Sequence, residues 1–150
     1  MWTHLLRSNA PAAVVLIRLM VGTVFLSEGI QKFLFPEQLG AGRFLKIGLP
    51  MPELLGPFVG TVEMACGSLV LLGLLTRVAV VPLIVIMAVA LTTTKWPMLA
   101  TQGFWHMAHE SRTDWSMLLA YLYLLLVGAG HRWSLDARLT SRRSLRSSPP

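Results

Sequence analysis

The chain has 150 residues, 54% of them hydrophobic and 13% charged, with a mean hydropathy of +0.61 and a formal net charge of +6. Soluble domains carry about 25% charged residues, so the composition excludes an ordinary water-solvated domain and points to a bilayer as solvent. The single cysteine, Cys66, excludes an intrachain disulfide and a CxxC redox pair and reads as a small packed residue.

The N-terminus has a weak likeness to a signal peptide. Arg7 precedes the apolar residues 12–17, but Arg18 interrupts the run and no A-x-A-type site follows, so it reads as an uncleaved first helix. The first predicted span covers about residues 12–35, with Pro11 suited to its first turn and Pro36 ending it. The second covers about 54–75, with Pro57 in its first turn and Glu63 as its one charge. The third covers about 78–94; neighbouring helices can tolerate Pro82 near its start. The fourth covers about 115–130. Trp96, Trp105, Trp115 and Trp133 fall at or near span edges, as an interfacial aromatic belt requires.

These elements predict an all-α integral membrane protein, with four transmembrane helices in an antiparallel bundle. One domain covers residues 1–139, and the Ser/Arg/Pro-rich residues 140–150 form a disordered basic tail. Arg7, Arg77, Arg132, Arg138, Arg142, Arg143 and Arg146 fall on one side; Arg43, Lys46, Lys95 and Arg112 fall on the other. The positive-inside rule then places both termini in the cytoplasm. The basic tail follows a span, so its expected partner is an anionic inner leaflet and not nucleic acid.

The connection 36–53 holds Phe44, Leu45, Ile47 and Leu49 and is too apolar to lie free in water; it caps the bundle or lies on the membrane surface. The connection 95–114 holds His106, His109, Glu110, Arg112 and Asp114. His106, His109 and Glu110 could ligate a metal or contact a ligand, but their spacing matches no zinc motif and no metal site is assigned. No histidine falls within a span, which argues against haem b. Phosphate-loop and dinucleotide signatures are also missing.

Ionisable groups inside spans are costly and normally face a bundle interior with a partner. Arg18, Gly22, Phe25, Gly29 and Lys32 share one helix face, and Glu28 stands four residues before Lys32, within ion-pair reach. Gly56, Gly60, Glu63 and Gly67 repeat the pattern, and such small residues let membrane helices approach closely. Counted from the cytoplasmic ends, Glu63 lies about 18 Å up, Glu28 about 24 Å, Lys95 about 26 Å and Lys32 about 30 Å. These four could cluster in the outer half. Arg18 lies about 9 Å up and is expected to snorkel to headgroups. Glu63 has no basic residue one turn away, so it needs a partner from another helix or stays protonated.

The run Arg18-x3-Gly22-x2-Phe25-x3-Gly29-x2-Lys32 resembles the opening of DoxX family membrane proteins. Arg43-Phe44, Gly48-Leu49-Pro50-Met51-Pro52, Glu63-x3-Gly67, Gly73-Leu74-Leu75-Thr76-Arg77, Gly128-Ala129-Gly130 and Ser134-Leu135-Asp136 continue the likeness across about residues 14–139. It implies a four-helix protein of a prokaryotic cytoplasmic membrane. It further implies kinship with the small DoxD subunit of thiosulfate:quinone oxidoreductase and a redox-complex role near a quinone. The chain departs from the pattern at Glu28, where relatives often carry His or a small residue, at Cys66, and in its charged stretch 106–115.

The leading expectation is a subunit or partner of a membrane oxidoreductase. Its quinone or small-molecule site would lie near Glu28, Lys32, Glu63 and Trp105 to His109, with Arg18 and Lys95 as further candidates. The chain would carry no intrinsic cofactor, and electrons would come from a redox partner protein. Two alternatives stay open: a small transporter or proton-pathway protein using Glu63, and an assembly partner whose charges fix helix register. The packing faces also allow a homo-oligomer.

Overall fold

The computed structural model describes residues 11–139. The basic tail, Arg142, Arg143, Arg146 and the N-terminal Arg7 lie outside the described residues. The helices are α1 (Val14–Leu34), α2 (Ala41–Lys46), α3 (Pro52–Leu72), α4 (Thr76–Ala90), α5 (Trp96–Gln102), α6 (Phe104–Glu110) and α7 (Arg112–Val127). A π-helical segment, Leu91–Lys95, joins α4 to α5.

Three stretches are long and apolar enough to cross a membrane: Val14–Leu34, Pro52–Leu72 and Thr76–Gln102. This differs from the expected set in two ways. The third stretch is 27 residues long and does not stop at Thr94. Thr92, Thr93 and Thr94 each return their hydroxyl to a carbonyl four residues back, at Ala88, Val89 and Ala90, so three polar residues stay helical. Pro97, which lacks an N–H, stands three residues after Thr94, and the ladder widens to π geometry over Leu91–Lys95, shortly before it. The fourth expected span is α7, only 16 residues long or about 24 Å, and its first turn carries Arg112 and Asp114. The connection 95–114, read as a loop, is almost wholly helical.

Helix ends follow local chemistry. Pro52 begins α3, and Gly73 ends it in the left-handed region at φ 63°. Gly73 N–H donates to Val70 O and Leu74 N–H to Leu69 O, a Schellman closure that satisfies the last carbonyls. Three residues later the chain enters α4.

α1 and α3 make the closest helix contact. A Cβ on Gly29 would sit 2.6 Å from the Gly60 carbonyl oxygen, and one on Gly67 would sit 2.8 Å from Leu26 N. Only glycine permits this approach. Val21, Phe25, Val70, Val80, Leu83, Tyr121 and Leu124 fill the interior between α1, α3, α4 and α7. Leu16, Leu54, Val85, Leu119 and Leu126 point outward, as lipid-facing residues do. Trp96, Trp105 and Trp133 are also exposed. As expected of an apolar connection, 36–53 folds back onto the bundle: Phe44 of α2 is buried, and a Cβ on Gly56 would meet Ala41 N at 2.7 Å.

Candidate functional site

Glu63 lies past the midpoint of α3, on the face packed against α1, and is 3% exposed. Its partner comes from α1: Lys32 Nζ stands 2.6 Å from Glu63 Oε2. The same ammonium lies 3.8 Å from Glu28 Oε2, one turn earlier on α1. Lys32 thus sits between two carboxylates that differ in burial, since the Glu28 side chain is 46% exposed. Gly60 makes room for this reach: the Lys32 Cβ lies 3.3 Å from where a Gly60 side chain would begin. Two carboxylates thus flank one ammonium, the inner one buried and the outer one half-exposed.

Tyr121 of α7 extends this centre, and the sequence reading missed it. The residue is fully buried, and its ring meets Phe25 edge to face at 5.1 Å between centroids. Its hydroxyl has no hydrogen-bond partner among the described residues. The Glu63 and Glu28 carboxylates lie close enough to act on it electrostatically. A buried Tyr hydroxyl usually finds a partner, so Tyr121, four residues after Met117 and three before Leu124 on the inner face of α7, was the available signal.

Lys95 does not join this cluster by an ion pair. It closes the π segment, pairs with Asp114 at 3.5 Å, and donates to the Glu110 carbonyl at 2.9 Å. The helical path of 91–114 turns it toward the start of α7. Trp105, His106 and His109 lie on α6 and are exposed, Trp105 at 83%. Arg112 donates to the His109 carbonyl. No three His, Cys, Asp or Glu residues converge among the described residues.

Arg18 corrects its expectation most sharply. It does not snorkel; it is 1% exposed. Its Nε donates to Val70 O at 3.0 Å, and Nη2 to Leu71 O at 2.6 Å and Trp133 O at 2.9 Å. Nη1 donates to Ala129 O at 3.2 Å and Arg132 O at 3.4 Å. These carbonyls sit where α3 ends and where the chain after α7 folds back, places that leave acceptors unpaired. Asp136 completes the arrangement. Its carboxylate accepts from Leu75 N–H at 2.8 Å and Thr76 N–H at 3.5 Å, and its own N–H donates to Gly73 O at 3.0 Å. Ser134 Oγ donates to the same Gly73 carbonyl at 3.0 Å. Burial pushes the Asp136 carboxyl above its ordinary range, opposed by the two backbone donors and by Arg18.

The fold and its buried charges define a helical membrane protein with a saturated arginine near one end and a carboxylate–ammonium centre deep between helices. The DoxX family profile matches residues 13–96, and the chain belongs to the DoxX family. It is 54% identical over 147 residues to an uncharacterized membrane protein, Rv3486, of Mycobacterium tuberculosis (strain ATCC 25618 / H37Rv), covering 94% of this chain and 90% of that protein. No solved structure matches.

Proposed function

We propose that the chain is a membrane subunit or partner of an oxidoreductase complex, and that Glu63, Lys32, Glu28 and Tyr121 frame a site for a quinone or similar small carbonyl compound. The observation that carries this reading is the buried Glu63–Lys32 pair at 2.6 Å, together with the buried Tyr121 hydroxyl, which has no hydrogen-bond partner among the described residues. A quinone headgroup needs donors to its oxygens, and its reduction consumes protons. Lys32 and Tyr121 are donors, Glu63 is a proton carrier, and the half-exposed Glu28 gives the proton a way in. Electrons would come from a partner protein.

In this reading α7 forms a fourth crossing. Its inner face is Met117, Ala120, Tyr121 and Leu124, while Leu119 and Leu126 face lipid. Four crossings return both ends to one side, and the arginine-rich end is then cytoplasmic in a prokaryotic membrane. Against the transporter reading, the other end of the α1–α3 contact is closed by Arg18 and its five carbonyls.

The test is a titration of purified protein in nanodiscs with a short-chain benzoquinone or naphthoquinone, read by tryptophan quenching. Wild type should bind, and Glu63→Gln should weaken binding about tenfold or more, the effect of losing a charge-assisted hydrogen bond. No binding by wild type, or equal binding by Glu63→Gln and Lys32→Met, removes the site. Crosslinking in membranes tests the redox partner separately.

A further inference from the structure

A groove of about 630 Å³ opens between the start of α4 and the end of α7, and none of its lining residues belongs to the Glu63 centre. It is lined by Val78, Val81, Pro82, Leu125 and Leu126, with Arg77 at the end nearest the helix termini. The volume falls in the range of about 300–1,000 Å³ that small-molecule sites occupy. Val78, Val81 and Leu126 are outward-facing, so the groove opens to the surrounding lipid.

The guanidinium is held in place. Arg77 Nη2 donates to the Leu126 carbonyl at 2.8 Å, spanning from one wall to the other. Arg77 is the second residue of α4, so it stands at the depth where the apolar run begins. Val81 and Pro82 lie about one turn further in.

The charge around this end is one-sided. Residues 73–77 and 128–139 hold three arginines, Arg77, Arg132 and Arg138, against one acid, Asp136. Arg132 and Arg138 are exposed, whereas Asp136 is buried and occupied by the N–H groups of Leu75 and Thr76.

We infer that this groove binds an anionic phospholipid, with its phosphodiester at Arg77 and one acyl chain along Val78, Val81, Pro82 and Leu125. Acyl chains gain little by exchanging lipid neighbours for Val and Leu, since the two are about equally apolar. Selectivity therefore comes from the headgroup. Basic pockets between helices recognise anionic headgroups, and a guanidinium suits phosphate better than an ammonium does. A phosphatidylcholine headgroup would bring its own cation to a surface that already carries three.

The experiment is native mass spectrometry of the full chain, released from micelles doped with phosphatidylglycerol or with phosphatidylcholine of the same chains. Wild type should retain phosphatidylglycerol about fivefold more than phosphatidylcholine, the worth of about one basic residue near a membrane surface. Arg77→Gln should remove that preference, and Arg77→Lys should keep part of it. Val81→Trp, which fills the groove without altering charge, should lower retention of both lipids. Lys46→Gln, an exposed position on α2, should leave the preference intact. If Arg77→Gln does not fold, Arg77→Lys and Val81→Trp carry the test. Equal retention of the two lipids by wild type overturns the inference. So does a preference that survives Val81→Trp, or one abolished by equimolar inorganic phosphate.

Discussion

Arg18 and Glu63 are both charges on packing faces of membrane-length helices, and both are almost completely covered. They differ in what surrounds them. Arg18 donates to five backbone carbonyls drawn from the end of α3 and from the non-helical chain after α7. Glu63 has one close ion partner, and the nearby Tyr121 hydroxyl has no hydrogen-bond partner among the described residues. The cause is position. Helix ends and returning loops leave carbonyls unpaired, so a long donor placed there can be saturated by the backbone. Deep in a helix the backbone groups are consumed, and a buried carboxylate must rely on side chains or on a ligand. A saturated charge holds the fold; an undersaturated one is where the proposed ligand would be held.

The largest expected effect breaks the saturated end. Arg18→Met removes a buried cation and strands its carbonyl acceptors, and should cost about 3–5 kcal/mol, as losing one side of a buried charged network does. The readout is the thermal unfolding midpoint in mild detergent; an unchanged midpoint would show that this end is not what closes the bundle. Gly73→Ala attacks the same place indirectly. A methyl group there would lie 2.5–2.9 Å from the Arg18 guanidinium and on a residue at φ 63°. About 1–3 kcal/mol of strain is expected, and adding Arg18→Met to it should cost less than the sum of the two.

The Glu63 centre should respond differently. Lys32→Met alone leaves a buried carboxylate that can take up a proton, so its cost should be smaller, about 1–3 kcal/mol. Adding Glu63→Gln should restore most of that loss, because a neutral pair of similar volume is tolerated where a lone charge is not. A double-mutant cycle on the unfolding midpoint measures this coupling, expected at about 0.5–3 kcal/mol. A cycle that closes at zero would mean the 2.6 Å contact does not hold in the folded protein. No such rescue is expected for Arg18, whose partners are backbone groups that substitution cannot remove.

Much of this contrast was legible in the sequence, and the gaps have physical causes. Glycine spacing marked the α1–α3 contact, and a lone carboxylate in an apolar run marked Glu63. Arg18 was misread because counting along one helix gives depth, not company; nothing local says that residues 129–133 fold back over it. Asp136 was visible within Ser134-Leu135-Asp136, but its bonds to Leu75 and Thr76 cross some sixty positions of chain. The end of the third stretch was misplaced because three threonines look like a polar loop until their hydroxyls are paired to their own helix. Lys95 was drawn toward Lys32 by depth alone, whereas the helical course of 91–114 delivers it to Asp114.

The smallest expected effect on stability separates the two regions most finely. Tyr121→Phe removes only a hydroxyl that has no hydrogen-bond partner among the described residues, and keeps the edge-to-face contact with Phe25. A buried polar group without a partner costs stability rather than adding to it. The substitution should therefore leave the unfolding midpoint unchanged or raise it by the equivalent of up to about 1 kcal/mol. Quinone titration should move the other way, with affinity falling a few-fold, as loss of one neutral hydrogen bond of about 0.5–1.5 kcal/mol predicts. Stability and affinity changing in opposite directions would mark a group positioned for a ligand at the fold's expense. A clear loss of stability in Tyr121→Phe would instead give the hydroxyl a structural partner and place Tyr121 with Arg18.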